Sequence, residues 1–214
     1  MEKEHVKKAL EELKKFPKKK FIQSYDLIIN LKNVDVKTAP LDFFLTLPHS
    51  KGKPVKIACF CDQQLAENAQ KNCDLVIREV EFEKYKEKPV MKKMAEDYDY
   101  FIAQANLMPK IAAAFGKVLG TKGKMPNPKL GCVVPPTVNL EVLRRKLNST
   151  VRLTAKKAVN LQCLVGKENQ AEEEIIENIL AAYQATIKQV PNEHQNIKNI
   201  CLKLTMSKPV KIHG

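Results

Sequence analysis

The chain has 214 residues, 44% of them hydrophobic, and carries 37 Lys and Arg against 24 Asp and Glu for a formal charge of +13. A chain of this length buries a core in one large domain or two of about 100 residues each, which argues against disorder, and no apolar run approaches the roughly 18 residues of a membrane span. Neutralising phosphates releases condensed counterions, so this basic excess favours nucleic acid as partner; the opening MEKEHVKKALEELKKF lacks a secretory signal's apolar core, so a cytoplasmic chain is expected.

In chain order, Val6, Leu10, Leu13 and Phe16 fall at helical spacing and predict an amphipathic helix over residues 2 to 16, stopped by Pro17 and Lys18 to Lys20. Period two then takes over. Tyr25, Leu27, Ile29 and Leu31 point one way and Ser24, Asp26, Ile28 and Asn30 the other, a strand with one largely polar face. Phe43 to Leu47 reads as a second strand ended by Pro48, and HSKGKP at residues 49 to 54 supplies turn residues without periodicity, a domain junction. Strands at Val55 to Phe60, Leu75 to Ile77 and Tyr100 to Ala103 alternate with helices near Asp62 to Asn72, through Glu96, at Leu107 to Phe115 and at Leu140 to Leu147. That alternation describes an α/β layer domain. Strands return at Val151 to Thr154 and Leu161 to Val165, then a long helix with Ile176, Leu180, Tyr183 and Ile187 on one face. A closing strand, Ile200 to Met206, sets Ile200, Leu202, Leu204 and Met206 against Cys201, Lys203 and Thr205. A discontinuous first domain, residues 1 to 54 with 149 to 214, interrupted by an inserted domain at 55 to 148, accounts for the order better than three consecutive units. The first holds 21 basic and 13 acidic residues, the second 16 and 11, so charge alone does not say which one binds.

Two segments stand out. GTKGKMPNPKLG, Gly120 to Gly131, is a cationic loop whose glycines let backbone N–H groups approach phosphate, or else a rigid turn. It is not a phosphate-binding Walker loop, because Met125 stands where Ser or Thr should bind magnesium. The other is the polar face of the first strand, where Lys20, Phe21, Ser24 and Asp26 are expected near Lys203 and Thr205 of the last. Hydroxyls, lysines and a carboxylate on a sheet suit RNA sugars and phosphates; Phe21 is either a stacking platform or, like Met206, a core residue. For catalysis the material is thin. The four histidines, His5, His49, His194 and His213, lie in surface or terminal stretches, and paired carboxylates in EFEKYKE and AEEEIIE read as solvated helix faces. The six cysteines offer one C-x-C, Cys59 with Cys61, and no histidine at ligand spacing, so reduced thiols are expected, without a metal or cofactor.

FIQSYDLIINLK, LTLPHSKGKPVKIA, DYFIAQANLMPKIAAAFGKVLGTKGKMPNPKLG and LKLTMSKPVKI occur in the order and spacing of the archaeal branch of the large-subunit ribosomal protein L-one family, which the chain resembles over essentially its whole length. The resemblance implies an α/β protein: a split first domain of antiparallel sheet and helices, and an inserted, Rossmann-like doubly wound second domain joined through two hinge strands. It implies that the first domain grips a stalk of large-subunit ribosomal RNA, that the stalk moves as deacylated tRNA leaves the exit site, and that the same surface binds the protein's own messenger RNA and represses it. The RNA-contacting motif matches Lys20, Phe21, Ser24 and Asp26, and the closing Thr-Met-Gly matches Thr205 and Met206 but departs at Ser207. If that glycine serves φ > 0 or close backbone approach, a Cβ there costs about 1 kcal/mol. Lys122, Lys124 and Lys129 of the glycine-rich loop become secondary RNA or tRNA contacts. The expectation is thus a non-catalytic, cytoplasmic component of the large subunit, monomeric off the ribosome. The rivals are a nucleotide-dependent enzyme using the inserted domain and a basic ribosome assembly factor.

Overall fold

The structure, a computed structural model, describes residues 2–36 and 38–212, so the terminal reading of His213 lies outside the described residues. The chain divides into two compact units, Met1–Lys53 with Ser149–Gly214, and Pro54–Asn148.

In the first unit, helix α1 (Lys3–Lys14) precedes strand β1 (Ser24–Leu31) and strand β2 (Leu41–Thr46). After the insertion come β7 (Thr150–Ala155), β8 (Asn160–Lys167), helix α7 (Glu172–Gln189), β9 (Ile197–Leu204) and β10 (Val210–Ile212). The main sheet has the antiparallel order β10-β9-β1-β8. β1 is therefore flanked by strands from the far end of the chain. Its residues Tyr25, Leu27, Ile29 and Leu31 are buried with Val6, Leu10 and Leu13 of α1 and Ile175, Ile179 and Ala182 of α7 in one cluster. Alternation on the strand and the three-to-four spacing on the helices meet in that core. Lys14 of α1 and Glu172, in the first turn of α7, form an ion pair between the two helices.

Three elements of this unit differ from the sequence reading. The buried stripe of α7 runs through Ile175, Ile179, Ala182 and Thr186, so Leu180 and Ile187 lie at its margin. Asn178 joins it fully buried, because its amide donates to the Val165 carbonyl (2.8 Å) and accepts from the His49 N–H (3.0 Å); a buried amide with both ends bonded costs little. β9 ends at Leu204, where a turn closed by the Ser207 N–H on the Leu204 carbonyl (3.2 Å) cuts off the alternation before Met206. β10 was not anticipated; it is three residues long, too short for periodicity to register.

β2 and β7 form a separate antiparallel pair. Across it Arg152 donates two hydrogen bonds to Asp42 (2.8 and 2.7 Å), and Lys156 adds an ion pair at 3.0 Å. The Arg152 hydrogen bonds hold the Asp42 carboxyl down at about 2. A depressed carboxylate contributes stability that is fully present above its unfolded value of about 3.9 and is lost as pH falls through the folded one. Asp42→Asn is therefore expected to lower unfolding free energy by about 1 kcal/mol at pH 7, after allowance for solvent screening. Urea titrations of both chains should show the gap closing between pH 4 and pH 2.

The second unit runs β3 (Ile57–Cys61), α2 (Gln63–Asn72), β4 (Leu75–Arg78), α3 (Phe82–Tyr85), α4 (Lys88–Asp97), β5 (Tyr100–Gln104), α5 (Met108–Thr121), β6 (Val133–Val134) and α6 (Leu140–Ser149). Its sheet is parallel, in the order β4-β3-β5-β6, the pattern of a doubly wound α/β layer fold. Ala58 and Phe60 of β3 are buried with α4 and α5, where Phe60 packs on Phe115 (5.0 Å) and Phe82 (5.7 Å). α5 runs past the expected end at Phe115 because Leu119 extends its buried face one turn on, and the Thr121 hydroxyl bonds back to the Val118 carbonyl (2.9 Å). Gly120 and Thr121 are thus helical, and the basic loop begins at Lys122.

Candidate nucleic-acid interface

Between α1 and β1 the chain has no regular structure, and there Lys18, Lys19, Lys20, Phe21 and Ile22 are exposed, Phe21 at 51% and Ile22 at 56%. Pro17 ends the helix and the lysines repel one another, so the segment stays open to solvent. β1 then starts at Ser24, whose N–H donates to the Thr205 hydroxyl at 3.1 Å. In register, Tyr25 faces Leu204 and Asp26 faces Lys203. Sequence positions 181 apart thereby form one edge.

The side chain that joins them is Gln23, which the sequence reading passed over. It is 3% exposed. Its Oε1 accepts the Met206 N–H (3.0 Å), its Nε2 donates to Glu168 Oε1 (3.4 Å), and its own N–H donates to Glu168 Oε2 (2.8 Å). The Glu168 N–H returns a bond to the Gln23 carbonyl (3.0 Å). Buried polar atoms need such partners, and here they fix the segments after α1, β8 and β9 to one another. No local signal could have shown it, since Gln23 and Glu168 are 145 residues apart.

The turn after β9 leaves Thr205 exposed and Met206 65% exposed. Of the two readings of Phe21 and Met206, burial in the core fails: Phe21 precedes β1 and Met206 follows β9, so both lie outside the strands. Ser207 is not in the left-handed region; among the described residues only Asn33 and Glu193 are non-glycine positions with positive φ. Its hydroxyl accepts the Leu204 N–H (2.9 Å) and approaches the Lys208 carbonyl (3.0 Å). The serine thus closes the turn by hydrogen bonding, without backbone strain. Asp26 and Lys203 are half-buried, and burial raises the Asp26 carboxyl above its ordinary range, with Lys203 opposing. A groove of about 700 Å³ opens at this end of the sheet on the face turned to α1, away from Asp26 and Lys203, lined by Phe16, Lys18, Lys19, Lys20, Phe21, Tyr25 and Glu168 among others. Lysines for phosphate, an open aromatic and methionine for bases, and hydroxyl and backbone groups for ribose share this end of the sheet.

In the second unit, the three loop lysines are placed differently. Lys122 pairs with Glu96 (3.1 Å) and the Lys124 ammonium donates to the Tyr98 carbonyl (2.7 Å), while Lys129 is exposed on a short turn capped by Asn127 (2.9 Å). Gly123 and Gly131 take positive φ there, +66° and +76°, which glycine alone adopts freely.

At the carboxyl ends of β3 and β5, where the strand order reverses and a doubly wound sheet offers its ligand crevice, the Asp62 N–H donates to Gln104 Oε1 (3.1 Å) and Gln104 Nε2 donates to Asp62 Oδ2 (2.6 Å). Asp62 Oδ1 caps α2 through the Gln64 and Leu65 N–H groups (3.0 and 3.2 Å). The helix N-terminus that would receive a phosphate already holds a carboxylate.

Fold and surface define a class: a basic, two-unit α/β protein whose antiparallel-sheet unit is split by a doubly wound insertion and gathers lysines, an aromatic and a methionine at one sheet end. Residues 13–208 match the Ribosomal protein L1p/L10e family. The chain belongs to that family. It is 39% identical to the large ribosomal subunit protein uL1 of Nanoarchaeum equitans, over 98% of each chain. It is also 39% identical to the protein of that name from Pyrococcus abyssi, over 100% of this chain and 97% of the relative, and 37% identical to that of Methanothermococcus thermolithotrophicus, over 99% of each.

Proposed function

We propose that the chain is a structural constituent of the large ribosomal subunit, in the cytoplasm, that grips a stalk of large-subunit ribosomal RNA with the first unit and performs no catalysis. The observation that carries this is the Gln23 junction, which builds one exposed platform of Lys20, Phe21, Thr205 and Met206 from opposite ends of the chain. Phosphate neutralisation by Lys18 to Lys20 supplies affinity, and the fit of Phe21, Thr205 and Met206 to an RNA shape supplies specificity. Ser24, Asp26, Lys203 and Ser207 support that platform, with Lys122, Lys124 and Lys129 as secondary contacts to RNA or exit-site tRNA. Membership of the family supports two further roles, easing release of deacylated tRNA and repressing the protein's own message through the same surface.

The nucleotide-enzyme alternative is disfavoured by the Asp62 carboxylate at the mouth of the inserted sheet, which would repel a phosphate. His49 sits on Glu177 (2.7 Å) and His194 on Tyr183 (2.9 Å), partnerships that orient structure. The test is a salt-titrated binding assay against the stalk fragment of large-subunit ribosomal RNA, with unrelated duplex RNA of equal length as competitor. Tight binding that survives competition is expected; equal, weak and steeply salt-dependent binding to both RNAs would overturn the assignment. An assembly factor would wash off purified large subunits, whereas a constituent stays.

A further inference from the structure

The groove on the α1 side of the main sheet is a surface distinct from the polar face that carries Asp26 and Lys203. Its floor is apolar. Leu13 of α1 and Leu204 of β9 are buried there, and Phe16 packs on the same core. Two hydrogen-bonding groups also line it, Tyr25 and Glu168. Tyr25 is only 5% exposed, yet no described residue makes a hydrogen bond to its hydroxyl, whereas buried polar groups are nearly always paired. Burial, and after it the Glu168 charge, raise this phenol above its ordinary range, so it keeps a proton to donate. A carboxylate offers about four acceptor positions. On Glu168 the Gln23 N–H takes one at Oε2 and the Gln23 amide one at Oε1, which leaves a position on each oxygen. Lys18, Lys19 and Lys20 complete the lining and are exposed.

We propose that this groove receives one guanine base turned out of the bound RNA, with Glu168 and Tyr25 reading its pairing edge. The inference rests on the RNA-binding reading above and assigns a task to one nucleotide of that RNA. Its size suits a small guest: ligand sites run from about 300 to 1,000 Å³, and this groove holds about 700 Å³. Its charges separate base from backbone. Lysines attract phosphate, but a carboxylate among them repels it, so the place beside Glu168 belongs to an uncharged group that donates hydrogen bonds. An everted base is such a group, and unstacked bases are what proteins usually read in RNA. The pairing edge of guanine carries two adjacent donors, N1–H and N2–H, beside the O6 acceptor. Glu168 accepts both, and the Tyr25 hydroxyl donates to O6. Adenine and cytosine set a ring-nitrogen lone pair next to their donor, and uracil has a single N–H between two carbonyls. Each would leave lone pairs facing the carboxylate. An entirely apolar guest would leave the Tyr25 hydroxyl without a partner.

The experiment measures binding of the full chain to the stalk fragment of large-subunit ribosomal RNA, unmodified and in two substituted series. In one, each unpaired guanosine is changed singly to inosine, which lacks the N2 amine; in the other, each unpaired nucleotide is made abasic singly. The protein variant is Tyr25→Phe, because Glu168 also holds Gln23 whereas the Tyr25 hydroxyl holds no described residue. With the unaltered chain, inosine at one position is expected to weaken binding about tenfold. Tyr25→Phe should weaken binding of unmodified RNA about fivefold, yet match the unaltered chain on RNA made abasic at that same position. No inosine-sensitive position, no effect of Tyr25→Phe, an effect that survives every abasic change, or one that maps to adenosine, cytidine or uridine would overturn the guanine site and leave RNA binding standing. Failure of the unaltered chain to prefer the unmodified fragment over unrelated duplex RNA would overturn both. The inosine series uses no protein variant, so it decides even where Tyr25→Phe does not fold.

Discussion

Gln23→Ala is expected to weaken binding to the ribosomal RNA stalk fragment by about 10- to 100-fold, the equivalent of roughly 1 to 3 kcal/mol. The amide touches no RNA in this reading; it acts by holding the parts that do. Removing it leaves the Met206 N–H without its acceptor and takes from the Glu168 carboxylate one of its two bonds to residue 23, in a position only 3% exposed. The turn carrying Thr205 and Met206 then loses its bond to residue 23 and is held to the Phe21 segment by the Ser24–Thr205 bond. Gln23→Glu should be at least as damaging, because it sets a second carboxylate against that of Glu168. The measurement is a filter-binding or fluorescence titration, with circular dichroism confirming that each variant is folded. Undiminished affinity in a folded Gln23→Ala chain would remove the turn after β9 from the binding surface.

The second large effect is expected from replacing Lys18, Lys19 and Lys20 together by alanine. All three are exposed in a segment without regular structure, so thermal stability should hardly change. Each lysine that neutralises a phosphate contributes about 0.7 to 0.9 to the slope of log affinity against log salt, so loss of three contacts should flatten it by roughly 2 to 3. At low salt the affinity should fall at least a hundredfold, converging with wild type as salt rises. A parallel drop at all salt concentrations, with the slope intact, would assign these lysines to some other task.

Much of the fold could be read from period and punctuation. The polar and apolar faces of β1, the helix ended before Pro17, and the strand–helix alternation from β3 onward all rest on patterns that span five or more residues. What escaped was decided by long-range geometry. The buried stripe of α7 turned toward Ile175 and Ile179 because Asn178, polar in sequence, found partners at Val165 and His49. Phe21 and Met206 are hydrophobic by type, yet Phe21 lies three residues before β1 and Met206 two after β9, where alternation says nothing about burial. The lysines of the basic loop looked alike in sequence, but Glu96 and Tyr98 engage two of them and leave Lys129 outward. Gln23 carries no motif at all; its role comes from meeting Glu168 and Met206 in space.

The interleaving of β1 with β9 also sets an order of events during synthesis. Ser24 and Thr205 are separated by 181 residues, and at about 5 to 20 residues per second the ribosome needs roughly 9 to 36 s to deliver the second after the first. Every strand of the inserted parallel sheet is made before β8 and β9, the two neighbours of β1. Contacts of such separation close late, because loop-closure entropy is met before they form. A growing chain therefore carries the lysines and Phe21 long before it carries the platform that Thr205 and Met206 complete.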